Sequence, residues 1–199
     1  MPNVCTNTIF IEGNAESIDL IWNMGQSEGH EGRFNFEDTL VKTFDLAKCY
    51  AVPEELTYIH CGSTTINGEQ FNNWKYVDKT TGEVVRYNIL DGKDDNIEMV
   101  GLTEEEVDEL KEKYGSENAY EWTYANWDTK WITEVDVDNV EFDEYKPDNY
   151  KSMEFEVDTA WSPPVSLLQH LCDCYDLKIS CRWWEEGGNA GWEHLHPNS

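Results

Sequence analysis

The chain has 199 residues, and its 41 acidic residues against 14 lysines and arginines give a formal net charge of −27 at pH 7. This balance excludes binding to bare nucleic acid or to an anionic membrane through a basic face, because both need clustered Lys and Arg. Hydrophobic residues make up 39% of the chain, and nine Trp, ten Tyr and seven Phe exclude a disordered acidic tail. The sequence therefore predicts a folded, strongly acidic protein.

Targeting signals and cysteine chemistry define the expected compartment. Residues 1–7 lack a basic start followed by an apolar run, so we expect no secretory signal. The best apolar segments, such as residues 165–174, are interrupted by polar residues and are too short to cross a bilayer. We therefore expect a cytosolic protein that has no membrane contact and keeps its six cysteines reduced.

The first elements predicted along the chain are a strand and a helix. Residues 3–12 alternate in the manner of a half-buried strand. The inward side of this strand carries Cys5, Asn7, Ile9 and Ile11. Asn14 predicts the N-cap of a short helix that ends near Gly25. Residues 26–32 are polar and contain glycine, which predicts a loop, and residues 33–40 are expected to be extended.

The middle of the chain predicts an insertion or small subdomain. Residues 75–77 and 84–87 flank a Thr80-Thr81-Gly82 turn, which indicates a hairpin. Thr103 and Glu106 have the spacing of a capping box, and the helix that follows is expected to end at Gly115.

The last third of the chain predicts strands at residues 127–131, 132–142, 153–161 and 177–184, with a helix before the last of them. This helix is expected to begin at Ser162-Pro163-Pro164, with Ser162 as its cap. The order strand, helix, strand on both sides of an insertion predicts an α+β fold: a ferredoxin-like split βαβ core with an antiparallel sheet, two packing helices and a central insertion. The predicted domains are residues 1–56 and 119–199 for the two halves of the core, and residues 57–118 for the insertion.

Four segments carry a resemblance to a known family. They are Met1-Pro2-Asn3-Val4-Cys5-Thr6-Asn7, Val52-Pro53-Glu54-Glu55-Leu56, Ala125-Asn126-Trp127-Asp128-Thr129-Lys130-Trp131 and residues 155–164. In this order, they resemble the YubB-type ferredoxin-like proteins of phages and plasmids. The chain has Val4 where the family usually has Trp, and Asp128 where the family has Gly. The resemblance implies a ferredoxin-like core and a mobile-element origin, and it implies no activity.

Histidine and cysteine residues are candidates for metal-binding or catalytic sites. His170 and Cys174 share a helix face, but Cys172 points elsewhere, and Cys-x-Cys is not the spacing of tetrahedral zinc. His60 and Cys61 are adjacent, and neighbours in an extended segment point to opposite faces, which disfavours a catalytic pair. We expect no catalytic residue, no metal and no cofactor.

Tryptophans divide into core residues and one candidate anchor. Trp127, Trp131 and Trp161 are expected to build the core, because large aromatic side chains dominate burial. The rings of Trp183 and Trp184 must face opposite sides of a strand, so one of them is expected to be exposed and able to anchor a protein partner.

The acidity is concentrated between residues 91 and 158, which hold 23 acidic and 6 basic residues. Within this region, residues 91–96 lack the ligand order of an EF-hand, so a solvated acidic surface is the expected role. A folded chain of this length is about 40 to 45 Å across, and duplex DNA of that length carries about 25 phosphate charges. Glu134, Asp136 and Asp138 alternate with valines, which predicts a row of acids on one strand face.

The leading functional hypothesis is a non-enzymatic accessory protein of a mobile element, which mimics nucleic acid and inhibits a basic, nucleic-acid-binding host defence protein. Its predicted partner-binding residues are Glu104, Glu105, Asp108, Glu112, Glu134, Asp136, Asp138, Glu141, Asp143 and Trp184. Two alternatives stay open: a small enzyme with a carboxylate or cysteine site in the insertion, and a structural or assembly module.

Overall fold

A computed structural model describes residues 3–30, 40–87, 94–145 and 149–198. The chain forms two compact units, a first unit of residues 1–51 and 124–199 and a second unit of residues 52–123. The chain therefore leaves the first unit after residue 51 and returns after residue 123, whereas the sequence predicts these limits after residues 56 and 118. None of the helices in the described ranges is long and apolar enough to cross a membrane.

A five-stranded antiparallel sheet forms the centre of the first unit. In order of pairing, the strands are β12 (Ala190–Leu195), β11 (Lys178–Glu185), β1 (Val4–Asn14), β10 (Tyr150–Ala160) and β9 (Glu141–Tyr145). Every neighbouring pair is antiparallel. Without β12, the sheet has the order of the fourth, first, third and second strands of a βαββαβ chain. This order confirms the predicted ferredoxin-like split βαβ fold.

Two helices pack on one face of this sheet. They are α1 (Ala15–Gly25), which follows β1, and α4 (Val165–Tyr175), which follows β10. The sheet residues that face them are buried and alternate along each strand, as the period of two requires. They include Cys5, Asn7, Ile9, Ile11, Phe155, Val157, Ile179 and Cys181. Each fully buried aliphatic side chain contributes about 1.5 to 3 kcal/mol, so this layer is the main source of the unit's stability.

The two helices begin in different ways. Asn14 caps α1 by accepting a hydrogen bond from the backbone N–H of Glu16, as predicted. The prediction that Ser162 caps α4 is wrong, because Pro164 stands at the cap and gives no side-chain bond. The Asp128 carboxylate instead accepts the N–H of Ser166 at 2.7 Å, and the Ser162 hydroxyl donates to the Asp128 carbonyl oxygen. The cap of α4 therefore comes from a residue distant in sequence.

Asp128 also has a left-handed backbone, with a φ of 63°. Asp128→Ala is expected to lower the free energy of unfolding by roughly 2 kcal/mol, because it removes the cap and places a less tolerant residue at positive φ. Asp128→Gly loses the same cap but suits the backbone, so about half that loss is expected. Urea denaturation measures both variants, and a glycine variant less stable than the alanine variant would contradict this role.

The sequence prediction for residues 26–32 is wrong where the structure describes them. Gln26–His30 is a strand, β2, that pairs with β3 (Leu40–Phe44), and β3 also pairs with β8 (Val135–Asp136). Backbone hydrogen bonds hold such a strand, so its polar sequence does not prevent pairing. Most of the predicted extended segment 33–40 lies outside the described residues.

Two other strand predictions differ from the structure. Residues 127–131 are not a strand: Trp127 ends α3 (Ala119–Trp127), because the left-handed Asp128 stops the helix. The predicted strand 132–142 is interrupted by a 3₁₀ turn at Val137–Asn139, which separates β8 from β9.

The second unit contains a small antiparallel sheet and α2 (Glu104–Tyr114). Its strands are β4 (His60–Ile66), β5 (Glu69–Asp78), β6 (Val84–Val85) and β7 (Ile97–Gly101). The β5–β6 pairing confirms the predicted hairpin. The Thr103–Glu106 capping box and the end of α2 at the left-handed Gly115 are also confirmed.

Candidate protein-binding face

The second face of the five-stranded sheet carries none of the helices described in the first unit, and we call it the open face. Strand register places on it the alternate residues that do not face α1 and α4. On β1 and β10 these include Thr6, Thr8, Phe10, Glu154, Glu156 and Asp158. On β9, β11 and β12 they include Glu141, Asp143, Lys178, Ser180, Arg182, Trp184, Trp192 and His194.

One half of the open face is aromatic and weakly basic. Trp184 and Trp192 are 55% and 54% exposed, and the Trp192 ring lies 5.6 Å from the ring of His194. Arg182 lies opposite Trp192 in the pairing and is exposed, with no hydrogen bond or ion pair among the described residues. Large exposed rings of this kind are enriched where proteins bind other proteins.

The other half of the open face is acidic. Glu141 and Asp143 alternate along β9, and Glu154 and Glu156 alternate along the neighbouring β10. All four side chains are exposed, and none of them forms an ion pair with another described residue. Asp158 continues the β10 row and accepts a hydrogen bond from the Thr6 hydroxyl at 2.7 Å. This half of the open face therefore presents a row of carboxylates to solvent.

A shallow depression joins the two halves. It is lined by Thr8, Phe10, Glu154, Ser180, Arg182 and Trp192. A carboxylate, a guanidinium, hydroxyl groups and two rings are therefore within reach of one bound side chain. Three of the predicted partner-binding residues lie on this face: Glu141 and Asp143 on β9, and Trp184 on β11, which β10 and β1 separate from β9.

Four other predicted residues lie on α2 in the second unit. Glu104, Glu105, Asp108 and Glu112 are exposed, and Glu109, which is not among the predicted residues, is exposed beside them. The nearby lysines are occupied elsewhere, because Lys111 pairs with Glu117 and Lys113 pairs with Glu55. The hydrogen bond from Lys113, with a second one from Tyr114, lowers the pKa of Glu55. These five carboxylates therefore have no ion-pair partner among the described residues, whereas Glu106, also on α2, pairs with Lys75.

The predicted row of Glu134, Asp136 and Asp138 on one strand face is wrong. Only Asp136 lies in a strand, and its side chain accepts the backbone N–H of Asp138 to begin the 3₁₀ turn. Glu134 accepts a hydrogen bond from the Thr43 hydroxyl at 2.6 Å. The turn breaks the period of two, so these acids do not form the predicted row.

The tryptophans predicted for the core differ in burial. Trp127 is buried, and its indole N–H donates to the carbonyl oxygen of Tyr50. Trp131 is half-buried. The prediction for Trp161 is wrong: this residue is 40% exposed, has a φ of 64°, and stacks on Tyr124. The left-handed backbone turns the chain out of β10 and carries the ring to the surface.

No group of three His, Cys, Asp or Glu side chains within the described ranges is arranged to hold a metal ion. The His60 ring stacks on Trp74, with the ring centres 5.7 Å apart, while Cys61 is exposed. Part of the 91–96 segment weighed for calcium lies outside the described residues.

Comparison with known proteins supports the fold. Residues 126–198 match a family model described as a ferredoxin-like domain in Api92-like protein. The match includes β9 to β12 and α4, and therefore most of the open face. No curated protein and no solved structure gives a significant match. The chain thus resembles a ferredoxin-like family whose description names a fold and no activity.

Proposed function

We propose that this chain is a non-enzymatic protein-binding module that uses its acidic surfaces to bind a basic, nucleic-acid-binding protein in place of nucleic acid. The observation that carries the proposal is the open face, where exposed carboxylates with no ion-pair partner among the described residues share one sheet face with two half-exposed tryptophans. The resemblance to YubB-type mobile-element proteins supports the finer proposal, which is inhibition of a defence protein in the host cytoplasm.

The spacing of the carboxylates supports mimicry. Along an antiparallel strand, residues on one face repeat every ~6.8 Å, and neighbouring strands lie ~4.8 Å apart. This ~6.8 Å repeat is close to twice the axial distance between successive phosphates on one strand of duplex DNA, which is ~3.4 Å. Glu141 lies opposite Glu154, and Asp143 on β9 and Glu156 on β10 extend this pair by one repeat in opposite directions. A protein surface that is complementary to phosphates therefore meets negative charges at similar intervals.

The α2 carboxylates support the same role from the second unit. Glu104, Asp108 and Glu112 are spaced by four residues, so each lies about 6 Å further along the helix on nearly the same side. Trp184 is expected to add affinity that charge alone does not supply. Charge mainly speeds association, whereas burial of an aromatic ring against the partner stabilises the complex.

Binding to a basic DNA-binding domain, used as the probe, tests the proposal. We expect micromolar or tighter binding at low salt, loss of binding at high salt, and competition by duplex DNA for the probe. The triple variant Glu141→Gln, Glu154→Gln, Glu156→Gln is expected to weaken binding about tenfold, as is Trp184→Ala.

The matched control changes net charge equally at exposed acids of the second unit that do not lie on α2. It is Glu69→Gln, Glu83→Gln, Glu98→Gln, and we expect binding within about twofold of the parent chain. Equal weakening by both triple variants would assign the effect to net charge alone and overturn the role of the open face. Absence of binding at low salt would overturn the proposal as a whole.

A further inference from the structure

The six cysteines of the chain fall into two groups. Cys5, Cys49, Cys172 and Cys181 are buried, whereas Cys61 and Cys174 are exposed. Burial raises the pKa of the Cys49 and Cys181 thiols to about 12 and that of Cys172 to about 11. These buried thiols stay protonated near neutral pH, so reactive chemistry is confined to the two exposed cysteines.

Cys174 differs from Cys61 because it contacts an imidazole. Its Sγ lies 3.5 Å from Nε2 of His170, which is one helical turn earlier on α4. The His170 ring stacks on Tyr50, with ring centres 3.7 Å apart and planes within 8°. Tyr50 is in turn held by a hydrogen bond from its hydroxyl to Oδ1 of Asn126 at 2.8 Å. The imidazole is therefore fixed against the thiol by packing.

Other titratable groups near Cys174 do not compete as bases. Burial first, and the nearby Cys174 second, raise the pKa values of Tyr50 and Tyr175, so both phenols stay protonated near neutral pH. The Asp173 carboxylate accepts hydrogen bonds from Gln169 and from the backbone and side chain of Asn198, and the Asn198 backbone N–H contributes most to lowering its pKa. Among the described groups around Cys174, the imidazole is thus the available base.

We propose that Cys174 is a nucleophilic thiol that takes small disulfides by thiol–disulfide exchange, with His170 as its general base. His170 Nε2 receives the proton of the thiol while Sγ attacks one sulfur of the disulfide. A bond forms between that sulfur and Sγ, the original S–S bond breaks, and the other half leaves as a thiolate that takes up the proton. The proposal is independent of the binding role of the open face.

The test compares the two exposed cysteines in one chain. Cys61→Ser leaves Cys174, and Cys174→Ser leaves Cys61, as the exposed thiol of each variant. The probe is 4,4′-dithiodipyridine, a neutral disulfide, so that the charge of −27 does not repel it. Release of thiopyridone gives the rate, and mass spectrometry locates the adduct. We expect Cys174 to react at least about tenfold faster than Cys61.

His170→Phe in the Cys61→Ser background separates the base from the packing. The phenyl ring keeps the stack on Tyr50 but has no nitrogen, so the Cys174 rate is expected to fall about tenfold. An unchanged rate in the folded variant overturns the role of His170. Similar reaction rates for Cys61 and Cys174 would overturn the proposal. This comparison does not use His170→Phe, so it tests the proposal even if that variant fails to fold.

Discussion

Replacing Asn7 by alanine is expected to lower the free energy of unfolding by about 3 kcal/mol. Asn7 is fully buried on the helix-covered face of β1. Its Nδ2 donates to the carbonyl oxygens of Cys5 and Val157, at 2.8 and 3.2 Å, and lies 2.9 Å from the Thr159 hydroxyl. The alanine variant leaves these acceptors buried without their donor and also leaves a cavity, and the two costs add.

Urea denaturation measures the Asn7 effect, with Thr8→Ala as the control on the neighbouring, open-face position. We expect the control to change stability by less than about 0.5 kcal/mol, because Thr8 lies in the shallow depression of the open face. Asn7→Asp is expected to be at least as unstable as Asn7→Ala, because a carboxylate brings charge into the core and cannot donate these bonds. A loss below about 1 kcal/mol in Asn7→Ala would contradict the network.

Gly25→Ala is the second large effect, with an expected loss of about 2 to 3 kcal/mol. A Cβ at this position would lie 2.2 Å from Cε2 of Phe44. Phe44 cannot yield easily, because it is fully buried, stacks on Trp22 at 5.4 Å and meets the Phe155 ring edge-on at 5.1 Å. The added methyl group must therefore displace an aromatic cluster.

A double-mutant cycle identifies Phe44 as the source of this effect. Phe44→Leu removes the ring atoms that the new Cβ would meet, at a moderate cost of its own. In the Phe44→Leu background, Gly25→Ala is expected to cost less than about 1 kcal/mol. If Gly25→Ala costs the same in both backgrounds, the loss arises from the backbone of α1 instead of from contact with Phe44.

The Asn7 network also explains part of the opening motif on which the resemblance was based. The Asn3 side chain donates to Glu185 on β11, and Asn7 reaches residues of β10. The third motif, residues 125–131, acts similarly, because the Thr129 hydroxyl is fully buried and contacts both the N–H and the carbonyl oxygen of Ala160 at the end of β10. These polar residues hold the ends of the central strands together.

Several parts of the candidate site follow from sequence and several do not. The exposed side of α2 could be predicted, because a helix exposes residues at fixed spacing whatever its neighbours are. The opposite orientations of Trp183 and Trp184 follow in the same way from the strand period. Glu109 and Trp192 were missed, although Glu109 has the spacing of the selected α2 acids. Nothing in the local sequence distinguishes Trp192 from a core residue.

The sequence by itself determined the elements whose signals lie within a few residues: β1, the caps of α1 and α2, and the β5–β6 hairpin. Tertiary structure alone decided the rest. It placed β11 and β12 on one side of β1, and β10 and β9 on the other. Glu141 and Trp184 therefore lie on the same face of one sheet. It also supplied the α4 cap from Asp128. A 3₁₀ turn interrupted the predicted row of Glu134, Asp136 and Asp138. The physical reason is that strand register, remote caps and the partners of a buried amide depend on segments up to about 180 residues apart, which no local periodicity encodes.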